Sequence, residues 1–415
     1  MKLAFFGACG EIGRSALAVE TGSLKLLLDC GIKVHDHYET PAFDKTKFDA
    51  CVLSHAHLDH SGSLPVLYKH QTIPAFCSFP TVPLTTILLQ DSEKVALQNR
   101  KNLPFKGADT KKALKKLVAM PFETEYEFFD GTRFTLHDAG HIPGSAGVLV
   151  EAQGKRVFYT GDFKLEATRL HKGALLPESA DVLVIESTYS AREHPDRKKL
   201  ESEFCDAVKK ALDEGATVLV PCFAVGRTQE ILQVLAAYLP REDVFVEGMG
   251  ARVNELLHDY PAYLKDFDAF SQAIARAKVV EDRRDRKRII GAPCVVVATA
   301  GMLDGGPALS YLQALNGQNA VVFLTGFQAV GTNGRSLLNG EKILAGNKRI
   351  KIDLPVKQFD FSAHAGKKDL LETVKRLTPE KVFCVHGDDC AGFADELKEK
   401  GFDAIAPKES ESFEL

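Results

Sequence analysis

The segment Ser54-His55-Ala56-His57-Leu58-Asp59-His60 constrains this chain more than any other. Three histidines and an aspartate share one short loop, directly after the apolar run Ala50-Cys51-Val52-Leu53, which reads as a buried strand. Histidine is otherwise sparse, 13 in 415 residues, so the cluster is not a product of composition. Imidazole nitrogens and carboxylate oxygens are groups that zinc accepts, and four of them on one loop can serve two ions. The competing reading, a plain polar loop, leaves this concentration of histidine unexplained. A chain of this length builds a large core without a metal staple, so the cluster reads as chemical rather than structural.

Further polar residues stand where apolar runs end. Asp29 closes Leu26-Leu27-Leu28, and His141 lies in the glycine-bearing Ala139-Gly140-His141-Ile142-Pro143-Gly144. Asp162 follows Tyr159-Thr160-Gly161, Glu186 ends the run Asp181–Glu186, and His364 and His386 come after about residue 350. Singly, each has a structural reading, as a cap or a satisfied core histidine. Beside the His55–His60 loop they read as parts of one site.

The first half shows short strands over Leu3–Phe6, Ala16–Glu20 and Lys25–Asp29, with a hairpin pairing Gly147–Glu151 with Arg156–Tyr159. Helices are expected over Leu64–His70, Leu84–Arg100 and Lys111–Met120. From about residue 195 helices and strands alternate: Lys198–Leu212, Thr217–Val220 and Gly226–Tyr238, then Cys294–Thr299, Asp304–Leu315 and Val321–Thr325. That rhythm implies a parallel, doubly wound sheet. The expected organisation is a metal domain over 1–187, an inserted α/β domain over 188–350, and a return to the first domain over 351–415.

Charge narrows the function. With 52 Lys+Arg against 56 Asp+Glu the net charge is -4, so attraction for a nucleic acid must come from a local groove or from metal ions. Lys111-Lys112 and Lys115-Lys116 share one helix face, and Arg283–Arg288 is basic; both read first as solvated faces. Arg227 stands at a strand-to-helix turn from which it could reach a phosphate, and ordinary strand–helix packing explains it equally. Nine cysteines without a C-x-x-C pair read as reduced thiols of a cytoplasmic protein. No run approaches the roughly 20 apolar residues of a membrane span.

The chain resembles the β-CASP family of metallo-β-lactamase-fold nucleases. The resemblance rests on Gly7–Ser15, Leu28-Asp29-Cys30-Gly31-Ile32, the H-x-H-x-D-H loop His55–His60, Ala139-Gly140-His141 and Gly161-Asp162. It continues through Ile185-Glu186-Ser187-Thr188-Tyr189, Phe361-Ser362-Ala363-His364 and Val385-His386-Gly387. Within the family the chain is most similar to archaeal homologues of the RNA-cutting subunit of the cleavage and polyadenylation specificity factor, in the subgroup lacking KH modules.

The resemblance implies an α/β fold: a metallo-β-lactamase αββα sandwich with an inserted β-CASP α/β domain. It implies two Zn²⁺, one held by His55, His57 and His141, the other by Asp59, His60 and His386, with Asp162 between them and Asp29 orienting the imidazoles. The residual positive charge of such a site suits a phosphodiester. His364 is the implied general acid, Glu186 its orienting partner, and Asp59 serves catalysis as well as the metal. Arg227, from its place at the helix start, and Ser362 are the expected substrate contacts. The implied activity is hydrolysis of RNA, endonucleolytic with 5′-3′ exonuclease action as a further mode, in 3′-end processing, maturation or decay. It leaves a 5′-phosphate and a 3′-hydroxyl. RNA rather than DNA rests on His386, where the DNA-repair branch carries an aliphatic residue. Expected partners are single-stranded RNA, a second copy of the chain, and RNA-processing or transcription-termination factors, with no membrane. Two rivals remain: a small-molecule metallo-hydrolase, disfavoured by the long insertion between Glu186 and His364, and a non-catalytic RNA-processing subunit, disfavoured because every ligand position is filled.

Overall fold

The computed structural model describes residues 1–34, 38–43, 46–98 and 101–415. The chain divides into two units. The first takes Met1–Ala167, Gly173–Glu193 and His364–Leu415; the second takes Thr168–Lys172 and His194–Ala363.

Two seven-stranded sheets make the first unit. One runs in the order Ser412–Glu414, Lys2–Phe5, Leu17–Glu20, Lys25–Leu28, Ala50–Val52, Ala75–Ser78, Leu117–Met120. The other runs Ala404–Ile405, Lys381–Val385, Val182–Glu186, Lys155–Tyr159, Ala146–Ala152, Arg133–Asp138, Glu125–Glu127. Alternate residues of a strand face opposite ways, and the sequence uses both faces. Leu3, Phe5, Leu26 and Leu28 of the first sheet share a core with Val148, Val150, Val182 and Val184 of the second. The intervening Leu27 and Cys51 pack outward under Leu64, Leu67 and Tyr68. On the other side Leu183, Ile185 and Cys384 pack under Leu370, Val374, Phe393 and Leu397, from the helices Lys367–Leu377 and Cys390–Glu399. The result is the helix–sheet–sheet–helix sandwich expected. Its central hairpin turns at Gln153-Gly154, both with positive φ (53° and 75°), as a two-residue turn of this hand requires.

The second unit holds a six-stranded parallel sheet in the order Lys278–Val279, Val244–Glu247, Val295–Ala298, Thr217–Pro221, Ala320–Leu324, Val356–Gln358. Its central strands are continuous apolar runs, buried on both faces as a parallel sheet demands. Val356–Gln358, expected in the returning segment, is the edge strand of this sheet.

The short segment Thr168–Lys172 belongs to the second unit through Glu230. That buried carboxylate accepts the backbone N–H groups of Arg169 and Leu170 (3.1 and 3.2 Å) and pairs with the Arg197 guanidinium. Burial alone would raise its pKa; Arg197 and Arg227 outweigh burial and lower it to about 2. Glu230→Ala takes the acceptor from the Arg169 N–H and leaves the largely buried Arg197 guanidinium with Glu201 alone, and is expected to cost about 3 kcal/mol in a urea or thermal melt. Because the folded pKa is depressed, this contribution is complete above the unfolded value near 4.3 and fades as pH falls through about 2. The wild-type and Glu230→Ala melts should therefore converge in acid.

Two expected helices differ. The segment Lys111–Met120 is a helix over Gly107–Leu114 followed by the strand Leu117–Met120, which pairs parallel with Ala75–Ser78. An apolar run of four reads equally as the end of a helix or as a strand, and sheet pairing decides it. Leu64–His70 is helical only over Leu64–Leu67. The helix expected from Leu84 begins at Thr81 and runs to Gln98; its expected end, Arg100, lies outside the described residues. All nine cysteines are free thiols, and among the described residues no helix is long and apolar enough to cross a membrane.

Candidate metal centre

Seven side chains able to hold a metal gather at one edge of the first unit, each from the end of a strand or the loop after it. Their ligand atoms form two groups, within each of which all atoms lie within 4.8 Å of one another: His55, His57, His141 and Asp162, and Asp59, His60, Asp162 and His386. A third group joins Asp162 to Glu186 and His364.

The spacing fits tetrahedral metal ligation. His57 Nδ1 lies 3.2 Å from His55 Nε2 and 3.2 Å from His141 Nε2. Four ligands at zinc–nitrogen distances stand about 3.3 Å apart on a tetrahedron. Asp162 spans the two groups with its two oxygens. Oδ2 lies 3.7 Å from His55 Nε2 and 3.8 Å from His141 Nε2; Oδ1 lies 3.3 Å from His60 Nε2 and 3.2 Å from His386 Nδ1. His386 Nε2, 3.5 Å from Asp59 Oδ2, is buried without a hydrogen-bond partner, as is Asp162 Oδ1. Orphaned buried polar atoms are costly, and a cation between them removes the cost.

Electrostatics sort the histidines. Burial pushes His55 and His57 below the usual imidazole pKa, which keeps them neutral and able to act as ligands. Burial alone would raise the Asp162 carboxyl, but His386, His60 and His364 outweigh it and hold the group well below the ordinary range.

Asp29 holds this arrangement from beneath. It is fully buried and accepts four hydrogen bonds of 2.7 Å: from Ser54 N–H, Ser54 Oγ, His60 Nδ1 and Tyr159 OH. Fixing Nδ1 of His60 turns Nε2 toward Asp162. Close backbone approach does the rest. A Cβ on Gly31 would sit 1.7 Å from Asp59 O, and one on Gly161 would sit 2.7 Å from Ser54 Cβ. Asp29 and His386 themselves adopt left-handed φ of 60° and 51°, a strain that the surrounding bonds hold in place.

His364 stands on the solvent side. Its side chain is 22% exposed, against 1% for Glu186 and 3% for Asp162. Nδ1 donates to Glu186 Oε2 at 3.0 Å, and the ring packs against His141 at 4.6 Å between centroids. Glu186 Oε1 also accepts the N–H of Phe163, so one carboxylate ties His364 to the loop that carries Asp162. Burial alone would lower the imidazole pKa; Glu186 and Asp162 outweigh it and raise it to about 9.

Arg227 and Ser362 lie in the second unit, both buried, Arg227 within the field of Glu230. Sequence reasoning missed Tyr159, which grips Asp29, and Thr188, whose Oγ1 donates to His386 O at 3.1 Å and lies 3.3 Å from His386 Nδ1. Both stand in the motifs quoted above, Tyr159 just before Gly161-Asp162 and Thr188 just after Glu186, where a polar tip on an apolar run was the available signal.

Three family profiles match the chain in succession: a beta-lactamase superfamily domain over residues 25–222, a Beta-Casp domain over 228–337, and a Zn-dependent metallo-hydrolase RNA specificity domain over 349–407. A "Probable RNase MJ4" of Methanocaldococcus jannaschii is 38% identical over all of both chains. "RNase aCSPSF2" of Saccharolobus solfataricus is 35% identical over all of this chain and 85% of its own. "Transcription termination factor FttA" of M. jannaschii is 34% identical over 96% of this chain and 69% of its own. Among solved structures, a protein of unknown function from Enterococcus faecalis shares the fold, with a TM-score of 0.60 and 15% identity over 100% of this chain and 99% of its own.

Proposed function

Because this chain belongs to the β-CASP family of metallo-β-lactamase-fold ribonucleases, we propose that its metal centre is a dizinc site at which RNA is hydrolysed to a 5′-phosphate and a 3′-hydroxyl. The observation that carries this reading is Asp162, one oxygen toward His55 and His141 and the other toward His60 and His386. His55, His57 and His141 would hold one ion, and Asp59, His60 and His386 the other. Bound there, the pair supplies Lewis acidity toward a phosphodiester and lowers the pKa of water to near neutrality.

The protein's own groups do the remainder. Asp29 fixes the His60 ring, and Thr188 braces His386. Asp59 faces His386 and lends the site a second carboxylate beside Asp162. His364 would give a proton to the departing ribose 3′-oxygen through Nε2, while Glu186 holds its Nδ1. Arg227 and Ser362 are assigned to the RNA strand. The likeness to proteins named transcription termination factor FttA supports action on nascent transcripts, with a second copy of this chain or the transcription machinery as partner.

Elemental analysis of the purified protein should return about two zinc ions per chain. End-labelled RNA should yield products with a 5′-phosphate that a ligase accepts. Products ending in a 2′,3′-cyclic phosphate would mean that the ribose 2′-hydroxyl attacked instead, and would sink the reading.

A further inference from the structure

We propose that the helices Thr81–Gln98 and Gly107–Leu114 of the first unit form a second RNA contact, which grips the substrate strand at a distance from the scissile bond. The proposal rests on the ribonuclease reading.

Charge is the first observation. The 25 residues from Lys94 to Val118 hold eight basic residues and one acid, in a chain whose net charge is -4. That acid, Asp109, is buried and accepts the N–H of Lys106 at 3.1 Å. Lys94, Lys111, Lys112, Lys115 and Lys116 are exposed. Among the described residues only Lys112 of these five has a carboxylate partner, Asp109 at 3.6 Å.

An ordinary solvated face looks different in this same protein. On the helix Arg197–Asp213, Lys199, Lys209 and Lys210 meet Glu203, Asp213 and Glu214 four residues on. A lysine face stripped of acids, in an acidic chain, repels itself unless a polyanion covers it. Between these lysines the surface is apolar: Leu97 is 80% exposed and Val95 41%. Phosphates for the amines and base or ribose faces for the aliphatic groups make single-stranded RNA a better match than an acidic protein segment.

Position is the second observation. The helix Thr81–Gln98 begins at the metal centre, where Thr81 Oγ1 and Ser78 Oγ donate to Gly144 O (3.1 and 2.6 Å) in the loop that carries His141. Its 18 residues then run about 27 Å outward. Near its far end Glu93 accepts a hydrogen bond from Thr110, which docks the lysine-bearing helix against it. The chain then turns back, and Lys116 O accepts the Ala75 N–H (2.9 Å) at the opposite end of the strand from Ser78, so the lysines are fixed across this sheet from the candidate cutting site and a strand held at both must span it.

The test compares length. In the full chain, Lys111, Lys112, Lys115 and Lys116 are replaced together by glutamine, which keeps helix propensity and removes four charges. On an RNA of about 30 nucleotides, kcat/KM should fall roughly tenfold or more near 0.1 M salt, and the slope of log affinity against log salt should flatten by about 2 to 3. On an RNA of about 5 nucleotides kcat/KM should stay within about twofold. A second variant, Leu97→Ser, should weaken long-RNA binding without changing the salt slope, since it removes no charge. Unchanged long-RNA affinity and salt slope would overturn the proposal and return the lysines to another partner or to solvent. Equal losses on both lengths would also overturn it. A wild-type protein that cuts neither RNA would instead bring down the ribonuclease reading beneath it.

Discussion

Asp162→Ala is expected to empty both halves of the metal centre at once. Zinc measured on the purified variant should fall below one ion per chain, and RNA cleavage should fall by more than the roughly 10²–10⁴-fold that a general acid contributes. The reason is position. Asp162 is the one residue common to both ligand groups, and its two oxygens face opposite ways. It is 2% exposed, with His60 Nε2 at 3.3 Å and His386 Nδ1 at 3.2 Å. Without its charge, two ions would face three imidazoles on one side and two imidazoles and a single carboxylate on the other, and their mutual repulsion would go unscreened. His57→Ala is the control. It belongs to one group only, so its variant should keep one ion and lose activity. If Asp162→Ala retains two ions, or if His57→Ala loses both, the division of ligands is wrong.

The loop His55–His60 was legible from sequence because its ligand types are adjacent and follow an apolar run that can only be buried. Its distant partners were legible through family likeness, not through local pattern: nothing near His386 distinguishes it from a core histidine. What escaped was whatever depends on tertiary approach. Tyr159 reads as one more strand residue until Asp29 is found under it. Thr188 reads as a turn residue until it meets His386. Thr168–Lys172 carries no pattern of its own; Glu230, some sixty residues on, assigns it to the second unit through two backbone bonds. Leu117–Met120 was read as the tail of a helix because lysines with helical spacing precede it, and its strand character comes from pairing with Ala75–Ser78. Fold class survives such errors because it rests on many alternating strands at once, whereas each bracing contact rests on a single pair of side chains.

His364→Ala should separate chemistry from metal binding. His364 lies outside both ligand groups that hold the proposed ions, so zinc content should match the wild type. Single-turnover cleavage should nevertheless drop by roughly 10²–10⁴-fold. A ribose 3′-alkoxide leaves only if it is protonated as the bond breaks, and the partly exposed imidazole held by Glu186 is placed to deliver that proton. The decisive substrate replaces the 3′-oxygen of the scissile bond with sulfur. A thiol has a pKa near 8.5, so its thiolate departs without help. On that substrate His364→Ala should approach the wild-type rate, while Asp162→Ala should stay inactive because its defect lies in the metals. Glu186→Gln should fall between wild type and His364→Ala on ordinary RNA and recover on the sulfur substrate in the same way, since it disturbs only the imidazole, both its orientation and its hold on the proton. A His364→Ala variant equally slow on both substrates would show that the residue shapes the site without giving up a proton, and the leaving group would then need another acid.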